Sequence, residues 1–341
     1  MASRVSTIPP HPAGSTLILS RAEIAALMRP ADYLAAVELA FRAAHQGRAS
    51  SPLPLHLPVP GGGFHAKAAM LCDDRDYAAL KLNGNFPGNP AARGLPTIQG
   101  AVLLCDAGDG RLLAVLDSIE ITLRRTAAAT ALAARHLARP DSATVAMIGC
   151  GDQARPQLEA LAEVLPIRRC LAFDIAEGRA EAFAAGICAS SEIDCRAVAD
   201  LRSATLASDV IVTCTTARAP LLDRGDVRPG AFVAAVGADV ADKHEIAPAL
   251  FAAATVVADV LAQCLAMGDL HHAVAAGAIE PAAVHAELGD LVAGAKPGRT
   301  SAKEITLFDS TGTALQDVAS AAMAYERALS AGVGLPVALG G

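Results

Sequence analysis

The sequence predicts an α/β protein in which a parallel sheet, doubly wound by helices, is inserted into a second α+β domain built from both chain ends. Three observations support this. Apolar strands alternate with helical segments from residue 144 to about residue 309, as a parallel sheet with crossover helices requires. A glycine-rich turn follows the first of these strands. Short strands separated by Pro and Gly precede the region, and a helical segment follows it.

The first part of the chain predicts two short helices and then a sheet. Apolar residues at helical spacing within 20–44, interrupted at Pro30, indicate the two helices. Strand-like segments follow at 53–59, 64–70, 79–82, 101–105 and 112–116. We expect an antiparallel or mixed sheet. An alanine-rich helix over 121–137 stops before Pro140, where we place a domain border.

The glycine-rich turn follows the apolar strand Thr144–Ile148 and leads into a helix over 155–165. Its sequence is Gly149-Cys150-Gly151-Asp152-Gln153-Ala154. The first glycine permits a tight turn, the second lets the backbone approach a pyrophosphate, and the alanine allows close packing of helix on strand. An ordinary glycine turn is the alternative, but a second strand, 169–173, ends in Asp174, where an acid accepts ribose hydroxyls. The pattern predicts a Rossmann nucleotide site.

The alternation then continues to the end of the sheet. Further strands are predicted at 210–213, 232–236, 255–258 and 305–309, and a closing helix at 315–331. We expect that helix to return to the first domain. The predicted limits are 125–312 for the NAD-binding Rossmann domain, and 1–124 plus 313–341 for the second domain.

The composition narrows the class of protein. The chain has 341 residues, 53% apolar and 18% charged, with a net charge of −7, which predicts a globular protein with no basic surface for nucleic acid. No apolar run approaches the ~20 residues that span a membrane. Met1–Gly14 resembles a terminal arm without a signal-peptide core. Eight cysteines without a C-x-x-C pair suit reduced thiols and no metal site. We expect a cytoplasmic protein with a small-molecule partner.

Two basic positions before the Rossmann region could take part in chemistry. Lys81 ends a predicted strand and precedes a loop rich in Asn, Gly and Pro. Burial would lower its pKa and make it an acid or base; a solvated strand-end lysine is the alternative. Arg125, in the run Arg124-Arg125-Thr126, could hold a substrate carboxylate in two parallel hydrogen bonds, or lie on the surface.

Polar residues also follow strands of the Rossmann region. Asp239 comes after a strand at the carboxyl edge of the sheet, where ligands bind, although it could instead cap a helix. Thr213 and Thr215 end another strand and could line the nicotinamide side. The pair His271-His272 is expected on a helix surface. His65 and Lys67 alternate on one strand face, which is either solvated or part of a pocket wall.

These residues resemble the ornithine cyclodeaminase/mu-crystallin family, which includes alanine dehydrogenases, ketimine and pyrroline-2-carboxylate reductases and lysine cyclodeaminase. The resemblance covers nearly the whole chain from about Leu19. The motifs that carry it are Lys81 with Asn83-Gly84, Gly94-Leu95-Pro96-Thr97, Leu116-Asp117-Ser118 through Arg125-Thr126-Ala127-Ala128, Gly149 to Ala154, Ala235-Val236-Gly237-Ala238-Asp239, and Phe308-Asp309-Ser310-Thr311-Gly312.

The resemblance implies roles for individual residues. Arg48, Lys81 and Arg125 correspond to the residues that hold the substrate carboxylate, and Lys81 and Asp239 to the acid/base pair. Asp174 resembles the ribose-binding acid of members that use NAD, and its charge disfavours NADP. The cofactor-binding residues predicted in all are Thr97, Arg125, Thr126, Gly149, Gly151, Asp152, Gln153, Asp174, Thr213, Thr215, Gly237, Asp239, Lys243 and Ser310.

The chain departs from the cyclodeaminases in two strings. Their Glu-x-Met-Pro is replaced by a segment from Phe64 to Met70 that has no acid, and their Gly-Glu-x-Gln-Gln-Leu by Gly268-Asp269-Leu270-His271-His272. We therefore expect an NAD-dependent oxidoreductase that acts on a small amino acid or ketimine. The alternatives are an ammonia-releasing cyclodeaminase with recycled NAD and a non-catalytic binding protein. The resemblance also implies that the domain formed by 1–124 plus 313–341 is a substrate-binding and dimerisation domain, and its strand edges permit pairing, so we expect a homodimer.

Overall fold

The structure, a computed structural model, describes residues 15–339. The predicted terminal arm, Met1–Gly14, lies outside the described residues. Among the helices of residues 15–339, none has the length and apolar content needed to cross a membrane. The same residues include no group of three or more His, Cys, Asp or Glu side chains placed to hold a metal ion.

The helices are numbered in chain order. They are α1 (Arg21–Leu27), α2 (Pro30–His45), α3 (Asn89–Arg93), α4 (Ser118–Leu137), α5 (Ala154–Ala162), α6 (Arg179–Ser190), α7 (Leu201–Leu206), α8 (Pro248–Ala252), α9 (Leu261–Cys264), α10 (Asp269–Ala275), α11 (Leu288–Val292) and α12 (Ala314–Ala331). Short 3₁₀ turns cover Arg224–Asp226 and Pro281–Ala283. The two predicted N-terminal helices are confirmed, with Pro30 at the first position of α2.

The strands are numbered in the same way. They are β1 (Ser15–Leu19), β2 (Ala49–Ser50), β3 (Leu55–Val59), β4 (Gly62–Leu71), β5 (Tyr77–Asn85), β6 (Ile98–Asp106), β7 (Leu112–Asp117), β8 (Thr144–Ile148), β9 (Arg169–Phe173), β10 (Asp194–Ala197), β11 (Val210–Thr213), β12 (Arg218–Leu222), β13 (Phe232–Ala235), β14 (His244–Ile246), β15 (Thr255–Ala258), β16 (Ala286–Glu287), β17 (Thr306–Asp309) and β18 (Leu335–Ala338).

The chain divides into two compact units, one formed by residues up to Arg125 together with those from Ala314, the other by Thr126–Thr313. The first unit contains a mixed sheet in the order β18-β1-β7-β6-β5-β4-β2, with β3 also paired to β4. Its pairs are antiparallel except for β1 with β7. Helix α12 packs on α2 and on strands β4, β5 and β6. The last helix of the chain therefore covers one face of this sheet.

Strand β5 places polar side chains on the face of the sheet that α12 covers. Its buried side includes Tyr77, Ala79, Lys81 and Asn83, whereas Leu80 on the other side is 52% exposed. The strand extends beyond the predicted 79–82, because the Asn-rich segment assigned to a loop continues the pairing with β4 and β6. The prediction that Lys81 ends a strand is therefore wrong: it lies in the middle of β5, with its side chain on the covered face.

The second unit contains the predicted parallel sheet, which is confirmed. Its order is β10-β9-β8-β11-β13-β17-β15-β16, and every pair within it is parallel. The central strands β11 and β13 are buried along their whole length, as expected for strands covered on both faces. A separate parallel pair, β12 with β14, was not predicted. Because the strands run parallel, their carboxyl ends form one edge of this sheet.

Candidate active site

The glycine turn lies at the carboxyl end of β8. Gly149 has φ +92°, and a Cβ there would lie 2.8 Å from Cγ2 of Thr215, so no other residue fits without strain. Its N–H donates to the carbonyl of Phe173. By contrast, a Cβ at Gly151 would meet no atom within 4 Å. The turn is thus tightly held at its first glycine and open at its second, as a pyrophosphate would need.

Asp174 lies directly beside this turn. Its Oδ2 accepts a hydrogen bond of 2.8 Å from the N–H of Cys150, and its Oδ1 accepts one from the N–H of Ala176. In the same turn Asp152 is exposed, whereas Oε1 of Gln153 is buried with no hydrogen-bond partner among residues 15–339. An unsatisfied buried acceptor is costly. Its position in the turn is compatible with a ligand that donates a hydrogen bond.

Glu245, which the sequence analysis missed, connects the ends of two neighbouring strands. Its Oε1 accepts hydrogen bonds from the N–H and hydroxyl of Thr215 (2.7 and 2.6 Å), and its Oε2 from the hydroxyl of Thr213 and the N–H of Gly237 (both 2.8 Å). Burial raises the pKa of Glu245 despite these bonds. The structure therefore directs Thr213 and Thr215, both predicted cofactor contacts, toward this carboxylate.

Asp239 lies beyond β13 at the same edge of the sheet. Its Oδ1 is 2.5 Å from the ammonium nitrogen of Lys243, and its side chain is 46% exposed against 17% for Lys243. The segment after Asp239 runs as a loop into β14, so the alternative of a helix cap does not apply. The structure thus joins two predicted site residues in one partly exposed ion pair.

More buried carboxyl groups lie behind this edge. Asp269 accepts hydrogen bonds from the N–H groups of Glu245 and Ile246 (2.6 and 2.9 Å), and Asp309 accepts one from Leu270. Burial and the neighbouring Glu245 charge raise the pKa of Asp269 to about 7. Burial and Asp269 hold the pKa of Asp309 well above its usual value. These acids tie α10 to the strand ends.

Ser310 and the histidine pair lie in the same unit. The hydroxyl of Ser310 donates to Asp259 over 3.3 Å, and Ser310 is 2% exposed. His271 and His272 belong to α10, but the expectation that they lie on its surface is wrong, since both are half-buried. The ring of His272 stacks on His244 with centroids 3.9 Å apart. Packing of α10 against β14 explains the difference.

The first unit brings Lys81 and Arg125 together around Asp317 of α12. The ammonium nitrogen of Lys81 lies 2.7 Å from Oδ2 of Asp317, and Nε of Arg125 donates to Oδ1 over 2.9 Å. Arg125 also donates to Oε1 of Gln316 over 2.8 Å. All three charged side chains are at most 4% exposed. The alternatives of a solvated Lys81 and a surface Arg125 are excluded.

This arrangement sets the proton affinities of the cluster. Burial, with the charges of Arg125 and Lys67, lowers the pKa of Lys81 to about 7 even though Asp317 opposes the shift. Although burial alone would raise it, the charges of Arg125 and Lys81 hold the pKa of Asp317 below its usual value. Lys81 can therefore donate or accept a proton at neutral pH while Asp317 stays ionised.

The remaining predicted site residues lie outside the cluster of Lys81, Arg125 and Asp317. Arg48 donates from Nη1 to the carbonyl of Cys72 over 2.6 Å and lies 3.6 Å from Asp73, with its side chain 41% exposed. These contacts do not include Lys81, Arg125 or Asp317. Thr97 is half-buried just before β6, and Thr126 is buried in α4. The structure does not bring Arg48 into the Lys81 cluster, and its substrate role stays a prediction.

Asp317 had a weak signal in the sequence, whereas Glu245 had none. Asp317 interrupts the buried side of α12, where Gln316 and Asp317 stand beside alanines and valine. A buried acid on an apolar helix face needs a partner. The position of Asp317 in the sequence therefore indicated a buried ion pair. Glu245 stands in a segment with no motif around it, and its four donors come from two strand ends more than seven residues away. No motif near Glu245 in the sequence indicated its role.

Known proteins resemble this chain over nearly its whole length. The model of the family described as "Ornithine cyclodeaminase/mu-crystallin family" matches residues 15–332. An alanine dehydrogenase from Archaeoglobus fulgidus is 40% identical, over 94% of this chain and 97% of that protein. A solved archaeal alanine dehydrogenase, a dimer with bound NAD, has a TM-score of 0.90 and 39% identity over 95% of this chain and 99% of its own.

Two further relatives act on imines by their names. The structure of Δ1-pyrroline-2-carboxylate reductase from Thermococcus litoralis with NADH and L-proline has a TM-score of 0.89 and 34% identity, covering 94% of this chain and all of that one. An iminosuccinate reductase from Paracoccus denitrificans is 34% identical over 93% of this chain and 98% of that protein. The resemblance read from the sequence is confirmed, and the chain belongs to the ornithine cyclodeaminase/mu-crystallin family.

Proposed function

We propose that this protein is an NAD-dependent oxidoreductase that moves a hydride between C4 of nicotinamide and the α-carbon of a small amino acid or ketimine. The observation that carries the proposal is the buried cluster of Lys81, Arg125 and Asp317. It combines a group that titrates near pH 7 with a guanidinium suited to a carboxylate. The named activities of the alanine dehydrogenase and pyrroline-2-carboxylate reductase relatives support the same reaction class.

The turn at β8 fits a dinucleotide. The open space at Gly151 and the strained first glycine, Gly149, suit a pyrophosphate, and the carboxylate of Asp174 suits ribose hydroxyls. A 2′-phosphate would meet the charge of Asp174, so we infer a preference for NAD over NADP. When bound, the nicotinamide supplies or accepts the hydride.

The residues of this chain would bind the substrate and move a proton. Arg125, oriented by Asp317 and Gln316, would pair with the substrate carboxylate. In reduction of a ketimine the C=N double bond gains one hydride at carbon and one proton at nitrogen, and the Lys81 ammonium would donate that proton. In the reverse direction neutral Lys81 would accept it. Asp239 would act as the second acid/base group at the edge of the parallel sheet.

The two compact units divide these tasks. We infer that the unit ending at Arg125 and resuming at Ala314 binds substrate, since it holds Lys81 and Asp317. The unit Thr126–Thr313 would bind the cofactor, because it holds the glycine turn and Asp174. Eight free cysteines support a reducing, cytoplasmic location.

A single assay tests the reaction class. The protein is incubated with NADH, ammonia and a 2-oxo acid, with NADH and pyrroline-2-carboxylate, or with NAD and ornithine or lysine. NADH absorbance and free ammonia are followed together. Net NADH oxidation supports the proposal. Ammonia release from ornithine or lysine at constant NADH would establish a cyclodeaminase instead, and no turnover on any amino or imino acid would favour a binding protein.

Lys81→Ala is the matching variant. We expect it to lower kcat by at least about a hundredfold, as loss of a general acid does. Lys296→Ala, which removes an exposed lysine, should leave turnover unchanged. Full activity in Lys81→Ala would remove Lys81 from the mechanism.

The outer face of the mixed sheet supports a homodimer. It carries large apolar side chains on neighbouring strands: Leu55, Leu57, Leu80, Leu82, Leu103, Ile18 and Leu335, which are 38–66% exposed. The strand registers place these side chains on one surface. Leu80 of β5 lies opposite Leu103 of β6, and Ile18 of β1 lies opposite Leu335 of β18. Apolar patches of this extent mark interfaces. We propose that a second copy of the chain covers this face.

A further inference from the structure

Three histidine rings lie together at the end of the loop that contains Asp239, and the proposed reaction does not use them. We propose that His272 is a positioning residue that fixes the backbone of Lys243, and through it the place of the Asp239 carboxylate. His244 and His271 hold the ring of His272 in its orientation. This deepens the proposed oxidoreductase function and rests on it, since Asp239 is the second acid/base group of that proposal.

His272 is hydrogen-bonded to the end of this loop. Its Nε2 lies 2.9 Å from the carbonyl oxygen of Lys243. Because a carbonyl oxygen can only accept, Nε2 carries a hydrogen and donates it. Lys243 immediately precedes β14, so the bond connects α10 to the point at which the loop meets the strand. His272 therefore fixes one end of the loop.

Two further imidazoles pack against the ring of His272. The ring of His244 stacks on it with centroids 3.9 Å and planes 15° apart, and the ring of His271 lies at 3.7 Å and 40°. Each neighbour is itself held by a backbone carbonyl. Nε2 of His244 donates to the carbonyl of Ile246 over 2.9 Å. Nδ1 of His271 donates to that of Gly268 over 2.5 Å. The ring of His272 therefore cannot rotate without losing contact with two fixed rings.

The stacked rings of His244 and His272 are neutral at neutral pH. Burial lowers the pKa of His272, and burial with the neighbouring His272 ring lowers the pKa of His244. A neutral imidazole has a single N–H, and in both rings it lies at Nε2, where a carbonyl accepts it. The single N–H of His272 is thus committed to the carbonyl of Lys243.

Helix α10 also binds the residues that follow the loop. Asp269, in the first turn of α10, accepts hydrogen bonds of 2.6 and 2.9 Å from the N–H groups of Glu245 and Ile246. His272 follows Asp269 by three residues in the same helix. The two side chains together hold the backbone from Lys243 to Ile246 at three atoms. Helix α10 is therefore the support on which the loop ends.

Asp239 lies between the two fixed ends of the loop. The N–H of Gly237 donates to Glu245 over 2.8 Å at the start, and Lys243 is held at the end. Between them the N–H of Lys243 donates to the carbonyl of Val240 over 3.1 Å and closes a turn. The ammonium nitrogen of Lys243 lies 2.5 Å from Asp239. A shift of the Lys243 backbone therefore moves the ion-pair partner of Asp239, and displacing a catalytic group by about 1 Å can lower turnover a hundredfold.

Amide side chains of two lengths test the bond to Lys243. In His272→Gln the amide N–H can take the place of Nε2, whereas in His272→Asn it is one bond too short. We expect His272→Asn to lower kcat for imine reduction at least about tenfold. KM for the imine, which the Lys81 cluster binds, should change less than about twofold. His272→Gln should retain kcat within about twofold. His285→Asn is the control, because Nε2 of His285 makes the same kind of bond, 2.9 Å long, to the carbonyl of Pro297, and both constants should stay unchanged.

Hydrogen exchange keeps the inference separate from the proposed reaction. Amide exchange of residues 238–246 is measured by mass spectrometry in the full chain. We expect it to be at least about tenfold faster in His272→Asn than in the wild type and in His272→Gln, with no change in the peptides of β11. If His272→Asn does not fold, His244→Leu, which removes a ring stacked on His272, should give the same local increase.

Two results would overturn the inference. One is equal kcat and equal exchange in the wild type and His272→Asn, and the other is an equal loss in His272→Asn and His272→Gln. A wild type that reduces no imine would overturn the proposed function instead. The exchange rates of residues 238–246 would then decide alone whether His272 holds the loop.

Discussion

The carboxylate of Asp317 lies 2.7 Å from the ammonium nitrogen of Lys81, and these side chains are 1% and 4% exposed. The two residues are far apart in the chain, one on a strand and one on the last helix. A buried pair of this kind gains little net stability, because desolvation offsets the attraction. Removing one partner is costly, since a charge is then left buried and uncompensated.

Asp317→Asn should therefore destabilise the protein by about 3–5 kcal/mol. Both Lys81 and Arg125 lose their counterion in this variant. Urea denaturation measures the free energy of unfolding, and Asp109→Asn, at an exposed ion pair with Arg111, is the control, with an expected change below about 0.5 kcal/mol. Equal effects of the two substitutions would show that Asp317 does not hold the cluster together.

The pH dependence of turnover should follow Lys81, whose pKa is about 7. Reduction needs the protonated amine, so kcat/KM for imine reduction should fall as pH rises through about 7. Oxidation of the amino acid needs the neutral amine and should rise over the same range. Since the Lys67 charge lowers the pKa of Lys81, Lys67→Met should move both midpoints to higher pH. Midpoints that stay in place would mean that another group titrates.

Cofactor preference should depend on Asp174. In Asp174→Ser the negative charge beside the turn is lost, so we expect kcat/KM for NADP to rise at least tenfold relative to NAD. The N–H of Cys150 also loses an acceptor, and KM for NAD should rise. Asp194→Ser removes a half-buried acid on the neighbouring strand and should leave the preference unchanged. If it changes the preference as much as Asp174→Ser does, the net negative charge of this unit is responsible, and not the position of Asp174.

Glu245→Gln tests how the loop with Asp239 is positioned. The amide can accept at only one of its two terminal atoms, so N–H or O–H donors of Thr215, Thr213 or Gly237 would face another donor. We expect a loss of about 1–3 kcal/mol in unfolding free energy and a lower kcat, because Gly237 leads into Asp239. Glu163→Gln, at an exposed glutamate, serves as the control. Unchanged stability in Glu245→Gln would show that the carboxylate is replaceable.

The proposed dimer is tested on the outer face of the mixed sheet. Leu82→Glu places a charge in the apolar patch and should convert the dimer to a monomer in light scattering coupled to size exclusion. Leu206→Glu, at a 39% exposed leucine outside this sheet, should leave the mass unchanged. A monomeric wild type, or a dimer that survives Leu82→Glu, would contradict the assignment of this face.

The parts of the site that were predictable depend on local sequence. The turn from Gly149 to Ala154 and the acid at Asp174 are set by short-range geometry: a strand, a tight turn and a helix. The apolar runs of β11 and β13 likewise predict strands buried on both faces. For these elements the residues that specify the structure are neighbours in the chain.

The parts that were not predictable depend on distant partners. Lys81 was placed at a strand end because Asn83 and Asn85 are typical of loops, but pairing with β4 and β6 on both sides extends β5 through them. Arg48 was grouped with Lys81 on resemblance, whereas its guanidinium binds the carbonyl of Cys72. Strands β1 and β18 pair across almost the whole length of the chain, which no local pattern reveals.

The position of α12 near the end of the chain determines when the Lys81 cluster can form during translation. The helix brings the counterion of Lys81 and covers the sheet that β4, β5 and β6 form, yet it is synthesised after the entire parallel sheet. During translation, Lys81 and Arg125 therefore lack their counterion Asp317 until α12 has been synthesised. A chain cut before Ala314 would leave both cations without the partner that permits their burial.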